Sequence, residues 1–537
     1  MFKKLVALPL SLMLLAGTLF AFPSQASADV RNQFSIVGEW LWASTIYDAG
    51  TNGAEKILSR CKDMGITDVY LLVKGTAGTV YFNNTNVALK KAYPDRDILQ
   101  DVITAAHAKG IRVHAWLTSF NDAAYKAAYP DSGLYHYVRG RDNDVIHPLD
   151  AGFNTYMENL ITELATNYDI DGLHLDYIRY NHVCNGWSAE DFAAVVTLGS
   201  QLGYTNVTEV SIKNLIDSTF YNANADPDYI FNAYNNNDAT ALSIAQYRRN
   251  NVVAFATRMV NAAKAAKRNL IISGATMPDG AVDEAFGNLH YGQSYKDAAS
   301  LYDYICPMAY SSDYSQNSAW VARVTTNAIA AGNKVVTGLQ SYYPTTSSML
   351  VNDVEAVRDL LSGPNAASVL GIAHFRTTQF SYAKLSYDLS SGTMNVKVIN
   401  TNTASPYQWV QVEMQQGLTI NSASAGTGMN ANAQVSYSDN NRVARLSHSS
   451  LLPADSEGNL SLSFTGTADP SKPIALVRVY ITNESRAYHV YAPAATPAPQ
   501  SNVPKTGDAS QPLLWGALAL CSLAGISVIF ARRRKQA

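Results

Sequence analysis

Cysteine is scarce in this chain. There are 4 in 537 residues, at Cys61, Cys184, Cys306 and Cys521, and none has the close spacing that metal-binding pairs need. Three lie outside the C-terminal apolar run, so at most one pair could cross-link, and the fold is not a disulfide scaffold. A dominant charge is lacking as well. Lys and Arg number 40 against 43 Asp and Glu, for a net charge of −3, which leaves no basic surplus for nucleic acid or an anionic membrane surface. No Gly-rich phosphate loop follows the first strand-like segment, which argues against a doubly wound nucleotide-binding sheet. Neither a metal nor an organic cofactor is expected. Tyrosine is abundant, at 32.

The two ends carry address signals. Lys3 and Lys4 precede the apolar stretch Leu5 to Phe22, and Ala26-Ser27-Ala28 supplies the small residues of a signal-peptidase site. Residues 1–28 are therefore expected to be a secretory signal peptide. At the other end Val503-Pro504-Lys505-Thr506-Gly507 precedes the apolar run Pro512 to Ala531, long enough to cross a bilayer, and then Arg532-Arg533-Arg534-Lys535. This order resembles the sortase sorting signal of Gram-positive surface proteins, with Val503 where Leu is usual. The resemblance implies cleavage between Thr506 and Gly507, and a bond from Thr506 to the peptidoglycan cross-bridge. Sortase and the cell wall are then expected partners, and the 503–537 tail meets the membrane only before sorting.

From 29 to 380, short apolar segments alternate with amphipathic helical ones. Strands are expected at Gly38–Ser44, Ile66–Val73, Ile111–Ser119, Ile170–Tyr177, Leu270–Met277, Asp303–Tyr310, Lys334–Gln340 and Val369–Arg376. Helices between them stop at Gly65, Gly110, Gly332 and Gly363, where a left-handed residue ends a helix. Eight strands with apolar runs on both faces, separated by helices, argue for a closed (β/α)8 TIM barrel. Its excess length falls in loops after strands, above all the Asn-, Tyr- and Asp-rich segment Asn181 to Asn237. From 381 to 491 the texture changes to short alternating segments, at Met394–Val398, Trp409–Met414, Val435–Ser438, Leu460–Phe464 and Ala475–Thr482. The expected fold class is thus α/β, a TIM barrel followed by a small all-β sandwich domain. Residues 492–502 are a Pro/Ala linker.

In such barrels function gathers where the strands end, at the C-terminal face. The densest polar stretch is on strand four, Asp171-Gly172-Leu173-His174-Leu175-Asp176-Tyr177-Ile178-Arg179-Tyr180. The two-residue period of a strand puts His174 and Asp176 on one face. A carboxylate at a barrel strand end needs solvent or a partner, and usually has a task. Asp171, at the strand's start, reads as structural. Strand three offers His114 and Trp116, then Asn121 and Asp122. Strand six ends at Tyr310 and leads to Asp313; strand seven ends Gln340-Ser341-Tyr342-Tyr343; strand eight ends His374-Phe375-Arg376. Rings and hydrogen-bonding groups around acids suit a sugar subsite.

Cleaving a glycosidic bond needs two carboxyl groups that flank it. Asp176 is expected to be one. For the second, Asp313 comes first, then Asp279 after strand five, then Asp122; Glu39 on strand one is a further acid. Substrate contacts are expected from His114, Trp116, His174, Arg179, Tyr310, Tyr343, His374 and Arg376. The plainer readings make His174 a core histidine, Trp116 barrel filling, and His374 and Arg376 partners of a barrel carboxylate.

Four segments carry a family resemblance: Val113 to Leu117, Tyr168 to Tyr177, Arg248-Arg249-Asn250-Asn251-Val252, and Pro307-Met308-Ala309-Tyr310. In order and content they resemble the glycosyl-hydrolase-like family 10, TIM barrels distinct from the well-known xylanases. Two positions depart from it: Tyr177, where the family often has a second Asp, and Met308, where it commonly has Gln. The Asp171-Gly172…Asp176 pattern also resembles α-amylase-type barrels, in which the second Asp is the nucleophile. These resemblances imply an enzyme that acts on bacterial glycans, peptidoglycan strands among them. The expected protein is a wall-anchored glycoside hydrolase of a polysaccharide or peptidoglycan glycan. The alternative is a non-catalytic glycan-binding or adhesion protein on the same scaffold.

Overall fold

The computed structural model describes residues 33–490, apart from 343–344, 346, 376–381, 401–404, 470–473 and 482–483. The expected signal peptide, the linker and the sorting signal with Thr506 and Gly507 lie outside the described residues. Among the described residues no helix is long and apolar enough to cross a membrane.

Eight parallel strands form the barrel: β1 (Ile36–Trp42), β2 (Asp68–Lys74), β3 (Arg112–Thr118), β4 (Gly172–Asp176), β5 (Ile271–Thr276), β6 (Tyr304–Pro307), β7 (Val335–Gln340) and β8 (Val369–Phe375). Each pairs with its neighbours in sequence, and β1 pairs with both β2 and β8, which closes the ring. Every expected barrel strand is present. Strand four is shorter than expected at both ends, and beyond it Tyr177 takes a φ of +50° that ends the extended run.

Alternation along each strand divides the core in two. Val37 and Leu41 of β1, and Val113, Ala115 and Leu117 of β3, face the helix layer and join the main core. Trp40, Tyr70, Trp116, Tyr304, Cys306, Val336 and Ala373 fill the lumen. The segment after strand four is not loop. Its polar residues lie on the outer sides of helices Ala189–Gln201, Glu209–Phe220 and Tyr229–Asn235, and Ser188 and Thr208 open two of them with reciprocal caps. With the long helix Ala239–Ala266 they enclose a small core around Trp187, Val195, Ile216, Ile230 and Ile244. Buried Arg248 ties this insertion down by donating to the carbonyls of His182, Asn185 and His290. Asn251 donates to the Tyr180 hydroxyl at 2.8 Å, and Arg249 forks onto Asp297 at 2.8 Å.

The C-terminal region is a sandwich with strands β9 (Tyr382–Asp388), β10 (Thr393–Asn400), β11 (Tyr407–Met414), β12 (Leu418–Ala425), β13 (Gln434–Ser438), β14 (Val443–Leu452), β15 (Ser456–Gly466), β16 (Ala475–Ile481) and β17 (Glu484–Val490). One antiparallel sheet runs β9-β10-β15-β12 and the other β13-β14-β11-β16-β17, around one shared core. The sandwich meets the helix Gly53–Asp63 through ions: Asp63 binds Lys384 at 3.2 Å and Lys397 at 2.6 Å, and Arg60 reaches Asp455 at 3.1 Å.

The lumen floor is polar and carries an ion-paired cluster. Buried Asp68 takes bonds from Arg112 at 2.8 Å and from His114 Nε2 at 2.8 Å. Burial alone would raise the Asp68 carboxyl, but His114 and Arg112 outweigh it and hold it below the usual range. The His114 ring lies against Gly172, where an added Cβ would sit 2.0 Å from Nδ1. That contact is why strand four opens on glycine. One layer up, His174 Nε2 accepts from the Trp40 indole at 3.1 Å, so Nδ1 carries the proton and donates to Ser273 Oγ at 2.8 Å. Burial, with nearby His114, drives its pKa well down, and the ring stays neutral.

Gly172→Ala is therefore expected to cost about 1–3 kcal/mol through overpacking against His114, seen as a lower Tm by scanning calorimetry. A parental Tm would mean the ring yields freely. For His174 the folded pKa lies below the unfolded one, near 6.5, so the unfolded chain binds more protons as pH falls. The urea midpoint should drop between pH 7 and pH 5, and His174→Gln should show a flatter drop; equal slopes would refute the assignment.

Candidate active site

The C-terminal ends of the barrel strands open into a cleft of about 460 Å³. Its walls are aromatic. Tyr310 stacks on Phe375 with centroids 5.3 Å apart, and Trp42 meets the Trp116 ring edgewise at 5.4 Å. Two carboxylates, Asp176 and Asp313, line the same space.

Asp176 ends β4 and is only 5 % exposed. Three donors compensate its lost water. The Trp116 indole reaches Oδ2 at 3.1 Å, the Tyr177 backbone N–H reaches Oδ1 at 2.6 Å, and Arg179 reaches Oδ1 at 3.2 Å. The Arg179 guanidinium in turn lies 4.5 Å over the Tyr177 ring. Tyr177 is a non-glycine residue in left-handed backbone, and strain of that kind gathers at functional sites. Here it turns its N–H back onto Asp176.

Asp313 sits in the loop after β6. Its backbone N–H donates to Gln340 Oε1 and Gln340 Nε2 donates to its Oδ1, both at 2.9 Å, while the Tyr342 hydroxyl donates to Oδ2. The end of β7 thus fixes a loop residue of β6. Asp279, after β5, stands one bond behind the cleft. It accepts from the hydroxyl of cleft-lining Tyr314 at 2.8 Å. Burial pushes the Asp279 carboxyl above its usual range, against the opposing bonds from Tyr314 and Tyr291.

Of the expected site residues, the structure gathers Asp176, Asp313, Trp116, Arg179 and Tyr310 at one cleft. Three expected sugar contacts lie elsewhere. His114 and His174 face the lumen, as expected, but both are fully buried in the layers beneath the cleft. His374 falls between lumen-facing Ala373 and Phe375, so it points to the helix layer, with Ser341 Oγ at 3.0 Å from Nδ1. Glu39 lies opposite it in the β1–β8 register, on the same outer side. Asp122 is no cleft acid either, being a fully buried partner of Lys74 at 3.1 Å and the cap on Tyr125 N–H. Tyr343 and Arg376 lie outside the described residues.

Sequence reasoning missed Trp40, Trp42 and Tyr314 as cleft residues, and of the pair Tyr342-Tyr343 after strand seven it chose Tyr343 as the substrate contact where Tyr342 lines the cleft. The alternation Trp40-Leu41-Trp42 at the end of strand one was the available signal for the first two. Nothing local marked Tyr314, which arrives on a loop. Among the described residues no cluster of three His, Cys, Asp or Glu side chains could hold a metal ion.

Comparison with known proteins gives the following. No curated protein matches the sequence. Among solved structures, the glycoside hydrolase domain of PgaB (BpsB) from Bordetella bronchiseptica is 16% identical, covering 63% of this chain and 93% of that one, with a TM-score of 0.48. The β-galactosidase of the psychrophilic Marinomonas ef1 is 12% identical, over 64% of this chain and 54% of that one, with a TM-score of 0.45. That of Bacillus circulans sp. alkalophilus is 14% identical, over 65% and 51%, with a TM-score of 0.43. The chain spans about half the length of these two β-galactosidases. The sequence profile of Glycosyl hydrolase-like 10 matches residues 39–349, from β1 into the helix after β7 and more than half of the chain. This protein therefore belongs to the Glycosyl hydrolase-like 10 family.

Proposed function

We propose that the protein is a glycoside hydrolase that cleaves a polysaccharide or peptidoglycan glycan with Asp176 and Asp313 as its carboxyl pair. The observation that carries this reading is Asp176 itself, nearly buried, held by three donors, and sharing an aromatic-walled cleft with a second acid. Held in place by three donors at the cleft, Asp176 suits the group that attacks the anomeric carbon or stabilises its positive charge. Asp313 is the proton carrier. In its acid form it would protonate the leaving oxygen. Asp279 positions Tyr314 at the cleft wall. Trp116 and Tyr310 offer faces for sugar rings, and Arg179 orients Asp176. The terminal signals support export and covalent attachment to the Gram-positive wall, with sortase as partner. The membrane is then met only through the tail.

Incubating the protein and Asp176→Asn with a glycan panel tests the reading. Reducing ends should appear with the parent alone, and silence from both would favour a binding protein instead. Asp313→Asn is expected to lose on the order of 10²–10⁴-fold in kcat/KM on unactivated glycans. It should lose far less on an aryl glycoside whose leaving group needs no proton. An equal loss on both substrates would remove Asp313 from the proton-donor role.

A further inference from the structure

A second groove, of about 630 Å³, lies in the loops after β2 and β3, the same barrel end that bears the cleft. The chemistry above makes no use of it. Tyr125 forms its centre, with the Tyr129 ring 4.5 Å and the Tyr156 ring 5.3 Å away. Tyr129 is 53 % exposed and Leu89, across the groove, 46 %. Clustered apolar exposure of this kind marks a contact surface more often than scattered single residues do.

Two polar features give the groove a chemistry. Asp150 takes the Phe153 N–H at 2.7 Å and the Tyr125 hydroxyl at 3.4 Å, both on Oδ1, so that Oδ2 can accept more. Asp131 is fully exposed, 3.4 Å from Arg141. No Lys or Arg lines the groove.

We propose that this groove is a second carbohydrate-binding site, which holds neutral pyranose chains beside the cleft. Tyr129 supplies a ring for the apolar C–H face of a sugar, and Asp131 and Asp150 accept from its hydroxyls. Asp131 is offset by Arg141, and the Asp150 carboxylate, with no Lys or Arg among the groove's lining residues, disfavours uronates and other anionic sugars. The inference takes its ligand class from the glycosidase reading, but its test is binding rather than cleavage.

The experiment uses the full chain in affinity gels that contain a soluble neutral glucan, chitooligosaccharides or polygalacturonate. At least one neutral probe should retard the protein. Tyr129→Ala should weaken that binding by about 5- to 10-fold, while Tyr129→Phe, which keeps the ring, stays within about 2-fold. Equal retention of parent and Tyr129→Ala overturns the proposal, as does a failure of every neutral probe to retard the parent, or a preference for polygalacturonate. A Tyr129-dependent affinity for a Pro/Ala peptide copying residues 492–502, in place of any glycan, would overturn it too. A parent that binds through Tyr129 but cleaves nothing would refute the hydrolase reading and leave this site standing.

Discussion

A carboxylate nearly removed from water at the end of a parallel strand has to be solvated by protein, and much of the cleft is the solution to that demand at Asp176. Each donor comes at a structural cost that shapes the site. The Trp116 indole must come from the neighbouring strand, which plants a large ring in the cleft wall. The backbone N–H must fold back, which forces Tyr177 into left-handed backbone and ends the strand there. Arg179 must reach in from three residues on, and it is steadied by the Tyr177 ring. One buried charge therefore accounts for a strand end, a strained residue and two cleft residues. The position where the family often has a second Asp holds Tyr177 here, and its ring serves the guanidinium instead.

How much of this was legible in the sequence follows from what a strand's period can and cannot encode. All eight barrel strands could be read from apolar runs, because both faces of a closed parallel sheet are buried. The period also put His114, Trp116, His174 and Asp176 on a common inward side, as found. It carried no information on depth. Barrel strands are staggered, so two inward residues on one strand lie in different layers, and only the last reaches the mouth. His114 and His174 were inward but too deep. His374 failed for a different reason, since it stands one residue off the inward parity set by Ala373 and Phe375. The pairing of Asp313 with Gln340 and Tyr342 joins two loops across 27 to 29 positions in sequence, and no local pattern reports it. The helices after strand four were obscured because their short apolar faces build a core of their own rather than packing on the barrel. In the sandwich, strand Leu418–Ala425 went unseen because only Leu418 and Ile420 on it are buried.

The lumen sets where protons can move. Below Asp176, burial pulls His174 down and pushes Tyr70, Tyr304 and Cys306 up, so each of these groups is held in its neutral form across the ordinary pH range. The floor beneath keeps its charge in one compact cluster, Asp68 with Arg112 and His114. The acids in reach of a substrate, Asp176 and Asp313, are confined to the rim above these layers. Asp279 belongs to that rim at one remove, since the burial that raises it acts through a tyrosine whose other side faces the cleft.

That confinement bears on how substrate itself would tune the site. The cleft is open to solvent when empty, and Asp313 is then hydrated as well as hydrogen-bonded. Sugar rings laid on Trp116 and Tyr310 would displace that water and leave Asp176 with its three protein donors intact. Asp313 keeps only a neutral amide and a phenol as partners, neither of which carries a positive charge. Asp176 therefore meets a bound sugar with a guanidinium beside it, and Asp313 with uncharged partners. Two chemically identical side chains thus face the substrate in different surroundings, and the difference rests on which of them has the arginine.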